Sequence, residues 1–210
     1  MDTINIEYLG DKFNQLQSAN ADGILSNIRK EGFKSFNKNG IPTLRNEEWR
    51  FTNVSNLFRK EYNLPKDNLE INTSDIDSIR LPGYANANEL VFVNGRYIPE
   101  LSVIRSAEKE CIIIPLENAV KNEYRNLVNE HLGKSSLVIK DGIHALNTSF
   151  IYGGVFIHVN KNQILEHPVY LYHLSDTRNS HTLAQPRSLV YVDQSAKLQL
   201  IESFATIGSM

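Results

Sequence analysis

Cysteine, methionine and tryptophan are scarce: one, two and one among 210 residues. The single cysteine, Cys111, cannot close an internal disulfide. Nor can it supply the close Cys pairs that structural zinc sites use. No apolar run reaches the ~20 residues needed to span a bilayer. Charge of neither sign accumulates: 22 Lys and Arg stand against 24 Asp and Glu, a net charge of −2. No basic block is present that would neutralise a run of phosphates. Nucleic acid and membrane are therefore not expected partners. The opening residues, MDTINIEYLGDKFN, lack the basic start, apolar middle and small-residue cleavage site of a leader. The three Asn-x-Ser sequons at Asn53, Asn72 and Asn147 then carry no weight, and a reducing cytoplasm is the expected location.

What is present suits a globular protein. Hydrophobic residues make up 41% and charged residues 22%. A chain this long can bury ~70% of the surface its unfolded form exposes. The first part reads as helical. Ile24, Leu25, Ile28, Gly32 and Phe36 follow helical spacing, with Arg29, Lys30 and Lys34 assigned to the other face. Asn39-Gly40 closes that helix and Pro42 prevents its resumption. In Glu47-Glu48-Trp49 the adjacent carboxylates do not face each other on a helix, so Trp49 as the anchor of a small core is the better reading. Ser74 to Ile79 forms a short helix, stopped by Leu81-Pro82-Gly83.

From Glu89 the texture changes. Leu90 to Val93 and Arg96 to Ile98 flank Asn94-Gly95, a two-residue hairpin signal, because both turn residues tolerate positive φ. Cys111 to Pro115 reads as a strand and Leu116 to Leu132 as a helix stopped by Gly133. After Leu137 little but strand is expected: Leu137-Val-Ile139, Val155 to Val159, Val169 to Leu174, Leu189 to Val192 and Leu198 to Phe204. In the second of these, Val155, Ile157 and Val159 face one way, Phe156 and His158 the other. With no helix long enough for a crossover between them, the strands fit either an antiparallel sandwich or barrel, or a β-solenoid. The strand-like end of the chain would leave a solenoid without a cap, so the partner strands come from another chain or from a longer protein.

All six histidines, His131, His144, His158, His167, His173 and His181, lie in one stretch, at irregular gaps without a His-x-His or His-x-x-x-His pair. They read as lining and turn residues, with His158 the one in an orderly outward position. Cys111, among isoleucines, reads as a small buried hydrophobe. Gly133-Lys134-Ser135 ends like a phosphate loop, but Val128 stands where the first glycine is needed and a helix precedes it, so it is not a nucleotide site. No Gly-x-Ser-x-Gly elbow or Gly-x-Gly-x-x-Gly fingerprint occurs. Tyr170, Tyr172, Tyr191 and Phe204 are either core or an outward protein-binding face. No residue is assigned as catalytic, cofactor-binding or metal-binding.

Five stretches in order resemble a known family. Gly40-Ile-Pro-Thr-Leu-Arg-Asn-Glu-Glu-Trp-Arg-Phe-Thr52, Leu90-Val-Phe-Val-Asn-Gly-Arg-Tyr97 with Leu101-Ser102, and Ala145-Leu-Asn-Thr148 are similar to segments of SufD-type subunits of the SUF iron–sulfur cluster assembly machinery. So are Gly154 to Val159 with Glu166 to Tyr170, and Pro186-Arg187 with Leu200-Ile-Glu202. Asn160 departs from the proline often found there. SufB subunits share the β core, so the SufD assignment leans on the Glu47-Glu48-Trp49-Arg50 segment. The resemblance implies an α+β chain: a helical region over 1–88, a mixed hairpin, strand and helix segment over 89–135, and from 136 to 210 the first coils of a right-handed parallel β-helix. Such subunits are about twice as long, so this chain resembles their N-terminal half. It implies a non-catalytic scaffold that pairs with a SufB-type subunit and a SufC-type ATPase. Cluster ligands and most docking helices lie in the family's C-terminal half. No cofactor is implied for this segment, only a transient cluster on the full complex. The competing readings are a carbohydrate-acting β-helix enzyme, for which Asp141, Glu166, Asp176, Asp193 and Glu202 are too dispersed, and a histidine-based metal module.

Overall fold

The Asn94-Gly95 turn organises the first sheet. Asn94 and Gly95 adopt φ of 50° and 84°. They join strand β1 (Asn88–Val93) to β2 (Arg96–Tyr97) in the expected antiparallel hairpin. This is a computed structural model that describes residues 6–19, 23–66 and 71–208. The first five residues of the opening stretch and the last two of the chain lie outside the described residues.

The chain forms a mixed α+β structure with two sheets and, among the described residues, no closed barrel. Strands β3 (Cys111–Pro115), β4 (Val155–Val159), β5 (Val169–Asp176), β6 (Leu189–Val192) and β7 (Leu200–Ile207) complete them. One sheet has the order β2-β1-β5-β7 and the other β3-β4-β6. From β4 onward, successive strands alternate between the sheets and pair in parallel. Phe156 lies beside Leu189, Ile164 beside Lys197 and Val169 beside Leu200, so the separation along the chain is nearly the same at each pairing. The turns between them place Asn162 and Ser195 at φ of 63° and 60°.

The two sheets face each other across a core of Leu90, Phe92, Val169 and Leu171 on one side and Cys111, Ile113, Val155, Ile157 and Val159 on the other. Their outer faces are covered too. Helix α3 (Thr73–Asp77) brings Ile76 against Val91, Val93, Tyr170 and Tyr172. Helices α4 (Leu116–Ala119) and α5 (Arg125–His131) cover Phe156. Strand β1 is accordingly buried at every position, which accounts for the apolar run from Leu90 to Val93. Helices α1 (Tyr8–Ala19) and α2 (Ile24–Asn39) build a further cluster with Phe58, Phe150 and Leu183. The Gly40 N–H closes α2 on the Phe36 carbonyl at 2.7 Å, as read from Asn39-Gly40.

Several readings are corrected. Leu137-Val-Ile139 is not a strand: Lys134–Leu137 is a 3₁₀ turn, and a helix, α6 (Gly142–Ser149), follows. The cause is the Asp141 carboxylate, which accepts the His144 N–H at 2.9 Å and caps that helix. Leu116 to Leu132 is two short helices, α4 and α5, not one. Arg29, assigned to the solvent face of α2, is only 1% exposed, its Nε donating to the Ile151 carbonyl at 2.8 Å. Trp49 sits half-buried in a 3₁₀ turn, Glu47–Trp49, beside Val138 and Ile139, and among the described residues no core cluster forms around it.

Candidate functional site

Helices α2 and α6 cross closely because Gly32 has no side chain: a methyl there would lie 2.8 Å from the Ser149 nitrogen. Alongside this crossing the Lys134–Leu137 turn completes a cleft of about 560 Å³. Its walls include Glu31, Lys134, Ser136, Lys140, His144 and Thr148. Behind them lies Arg187, just ahead of β6. Its Nη1 donates to Ser135 Oγ at 3.2 Å and its Nη2 to Thr148 Oγ1 at 3.0 Å. Its Nε is buried without an acceptor among the described residues. His144 Nε2 lies 3.3 Å from Ser135 Oγ and 3.2 Å from Ser136 Oγ. Burial, and then the charge of Arg187, push the His144 imidazole below its ordinary pKa. A neutral ring accepting at Nε2 fits that environment.

The six histidines do not converge. Among the described residues no group of three or more His, Cys, Asp or Glu side chains comes together as metal ligands would. His158 projects opposite Val155, Ile157 and Val159, as its alternation implies, and faces the helical layer rather than solvent. It packs edge-on against Tyr124 and Tyr191, and its Nε2 meets Asp193 Oδ2 at 3.0 Å. Its Nδ1 is buried without a partner among the described residues. His173 faces inward between the sheets, stacked between Phe92 and Phe204 with centroids 4.6 and 4.7 Å away, and 3.3 Å from Glu202 Oε1. Burial outweighs that carboxylate and pushes its pKa down. His167 Nδ1 sits 2.8 Å from the Asn86 carbonyl, in the turn before Pro168. His131 lies against Tyr191 and His181 against Tyr62.

Cys111 is buried in the inter-sheet core, and burial pushes its thiol up to about 12. Tyr170 and Tyr172 are core residues under α3, while Tyr191 is half-buried and Phe204 is 74% exposed. Of the five dispersed acids, Asp141 caps α6, Asp176 pairs with Arg178, and Asp193 and Glu202 meet histidines. None of these four carboxylates faces another. The Arg187 cluster escapes a reading of the sequence because Arg187 lies 39 residues beyond Thr148, and helix α6, which sets His144 and Thr148 one turn apart, is not read from the sequence. Its one local trace is Gly133-Lys134-Ser135, which registers only as an incomplete phosphate loop.

Two sheets in partly parallel pairing, wrapped by helices, with polar side chains held in pairs, define a mixed α+β domain rather than a concentrated reactive centre. The chain belongs to the family described as the SufBD protein N-terminal region, whose model matches residues 6–171. It is also similar to an iron–sulfur cluster assembly SufBD family protein of Synechocystis sp. The two are 27% identical over 195 residues, which is 91% of this chain and 42% of that protein. The chain thus spans about two fifths of the length of the curated relative it matches. No helix among the described residues is long and apolar enough to cross a membrane.

Proposed function

We propose that this protein acts in iron–sulfur cluster assembly as a non-catalytic scaffold of SufD type, working in the cytoplasm beside a SufB-type subunit and a SufC-type ATPase. The observation that carries the reading is the family match over residues 6–171. The name of the Synechocystis relative supports the assembly role. In this reading residues 1–88 form a helical region, 89–135 a mixed hairpin, strand and helix segment, and 136–210 begin a right-handed parallel β-helix. The parallel pairing of β4 with β6 and of β5 with β7, at nearly equal separations along the chain, supports the last point. So does the open side of the inter-sheet core at β6 and β7. There Leu171, His173, Val190, Leu200, Glu202 and Phe204 line a cavity of about 480 Å³. A further layer of strands fits against it, from a longer form of the chain or from a partner. The role is geometric: a stiff stack holds cluster ligands contributed elsewhere in the complex at a fixed place.

Co-purification of the full-length protein with SufB-type and SufC-type subunits tests this. A stable complex at micromolar concentrations is expected, and failure to form one with either subunit would overturn the scaffold reading. The carbohydrate-enzyme alternative finds no support in the arrangement of the acids, since four of the five are engaged with other groups.

A further inference from the structure

Arg187 is a half-buried cation without a counter-charge. Among the described residues no carboxylate lies within ion-pair distance of it, whereas Arg80 pairs with Glu89 and Arg178 with Asp176. Its only acceptors among those residues are the two neutral hydroxyls of Ser135 and Thr148. Buried charges are normally paired, because a low-dielectric site penalises an uncompensated ion. The cleft in front of it adds more positive charge: Lys134 and Lys140 are exposed at its mouth, and Glu31 is the one acid on its wall. Asp141, nearby, is engaged in capping α6.

The hydroxyl hydrogens can be assigned. Thr148 Oγ1 donates to the His144 carbonyl at 2.9 Å, so its lone pairs serve Arg187. Ser135 Oγ accepts from Arg187 and is left to donate to His144 Nε2. The Ser136 hydroxyl stands on the cleft wall, 3.2 Å from His144 Nε2, and the Lys140 ammonium donates to the Ser136 carbonyl at 2.8 Å. Two lysines and a hydroxyl therefore converge on one cavity, against the single carboxylate of Glu31.

We propose that this cleft binds a phosphate-type oxyanion, free or as the terminal group of a small monoester, held by Lys134, Lys140 and the Ser136 hydroxyl with Arg187 behind. The proposal goes beyond the assembly reading and does not depend on it. It is not a nucleotide loop: the contacts come from side chains on two elements rather than from a glycine-rich backbone cradle. The cavity is larger than a bare phosphate needs, so a monoester fits as well as the free ion.

Calorimetric titration of the full protein with sodium phosphate and, separately, glycerol 3-phosphate tests this, with sodium chloride at matched ionic strength as the blank. One saturable site with Kd on the order of 0.1–1 mM is expected for at least one probe. Equal affinity for both marks the free anion as sufficient, and tighter binding of glycerol 3-phosphate marks a monoester site. The double variant Lys134→Ala/Lys140→Ala removes two exposed side chains without touching the core, and should weaken binding about tenfold or more. Ser136→Ala should weaken it a few-fold. Arg187→Met, which removes the charge behind the wall, should weaken it severalfold, and where that variant fails to fold the lysine pair still decides. No saturable heat with either probe, or affinity unchanged in the double variant, would overturn the proposal.

Discussion

The crossing of α2 and α6 turns on one missing methyl group. In an exposed helix, Gly→Ala gains roughly 1 kcal/mol of helix propensity. At Gly32 the new Cβ would lie 2.8 Å from the Ser149 nitrogen and 2.9 Å from the Thr148 carbonyl carbon and its Cγ2. Two of these three are backbone atoms that no rotamer change can move. Reaching ordinary contact at 3.4 Å requires the helices to part by about 0.6 Å. Overpacking of this kind costs about 1–3 kcal/mol. At the middle of that range the overlap outweighs the propensity gain, and Gly32→Ala should lose about 1 kcal/mol net. Gly10 in α1 supplies the control: nothing lies within 4 Å of a Cβ there, so Gly10→Ala should be neutral or stabilising by up to about 1 kcal/mol. Urea denaturation reads both. With a slope of about 2–3 kcal/mol/M, Gly32→Ala should lower the midpoint by about 0.5 M at unchanged slope. A Gly32→Ala protein as stable as the parent would refute the reasoning, because the close approach would then carry no energetic weight.

Two further outcomes follow from buried titratable groups. His144 and His173 both have native pKa values below the ordinary 6.5. The unfolded chain then binds more protons between that value and the lower native ones, so stability is full above about pH 6.5 and falls as pH drops through that window. His173→Phe keeps the stack with Phe92 and Phe204 and should flatten the loss seen by urea titration between about pH 7 and 5; an unchanged slope with both His144→Gln and His173→Phe would contradict the assignment. The Cys111 thiol, pushed up to about 12 within the core, should resist iodoacetamide at pH 8 until the protein is unfolded, as counted by mass spectrometry; rapid labelling of the native protein would place it at the surface instead.

Local chemistry was legible in the sequence and long-range chemistry was not. The Asn94-Gly95 hairpin and the Gly40 stop of α2 depend on one or two residues, and both formed as read. Helix α6 was overlooked because the surrounding strands dominated the pattern, although Asp141 followed by Ala145, Leu146 and Ser149 carries a cap and helical spacing. Arg29 shows a different fault. Leu25, Arg29, Gly32 and Phe36 share one face by spacing alone, and all four are buried. The positive charge overrode the period, yet the Ile151 carbonyl and Gln17 supply the partners that let a guanidinium sit there. The choice between sandwich and solenoid could not be made from periodicity. A parallel neighbour such as Leu189 beside Phe156, or Leu200 beside Val169, needs only an apolar side chain at the matching place, and leaves no repeated identity to detect.

Burial falls from one end of the sheets to the other, and the gradient separates two kinds of surface. Strand β1 is buried throughout and β5 nearly so, because each has a strand on both sides and a layer on both faces. Strands β6 and β7, at the edges, alternate between half-buried and exposed positions. Their inward residues Val190, Val192 and Phe204 continue the rows of Ile157, Val159 and His173 but are left 38, 40 and 74% exposed. An edge of this kind offers backbone donors and acceptors together with an apolar face, which is what strand addition consumes and what a small soluble ligand cannot use. The cleft between α2 and α6 is the reverse: it is walled by helices and a 3₁₀ turn rather than by an open strand edge, and it offers charge and hydroxyls. Assembly through the strands and anion binding through the helices would therefore occupy different faces, and neither would need to displace the other.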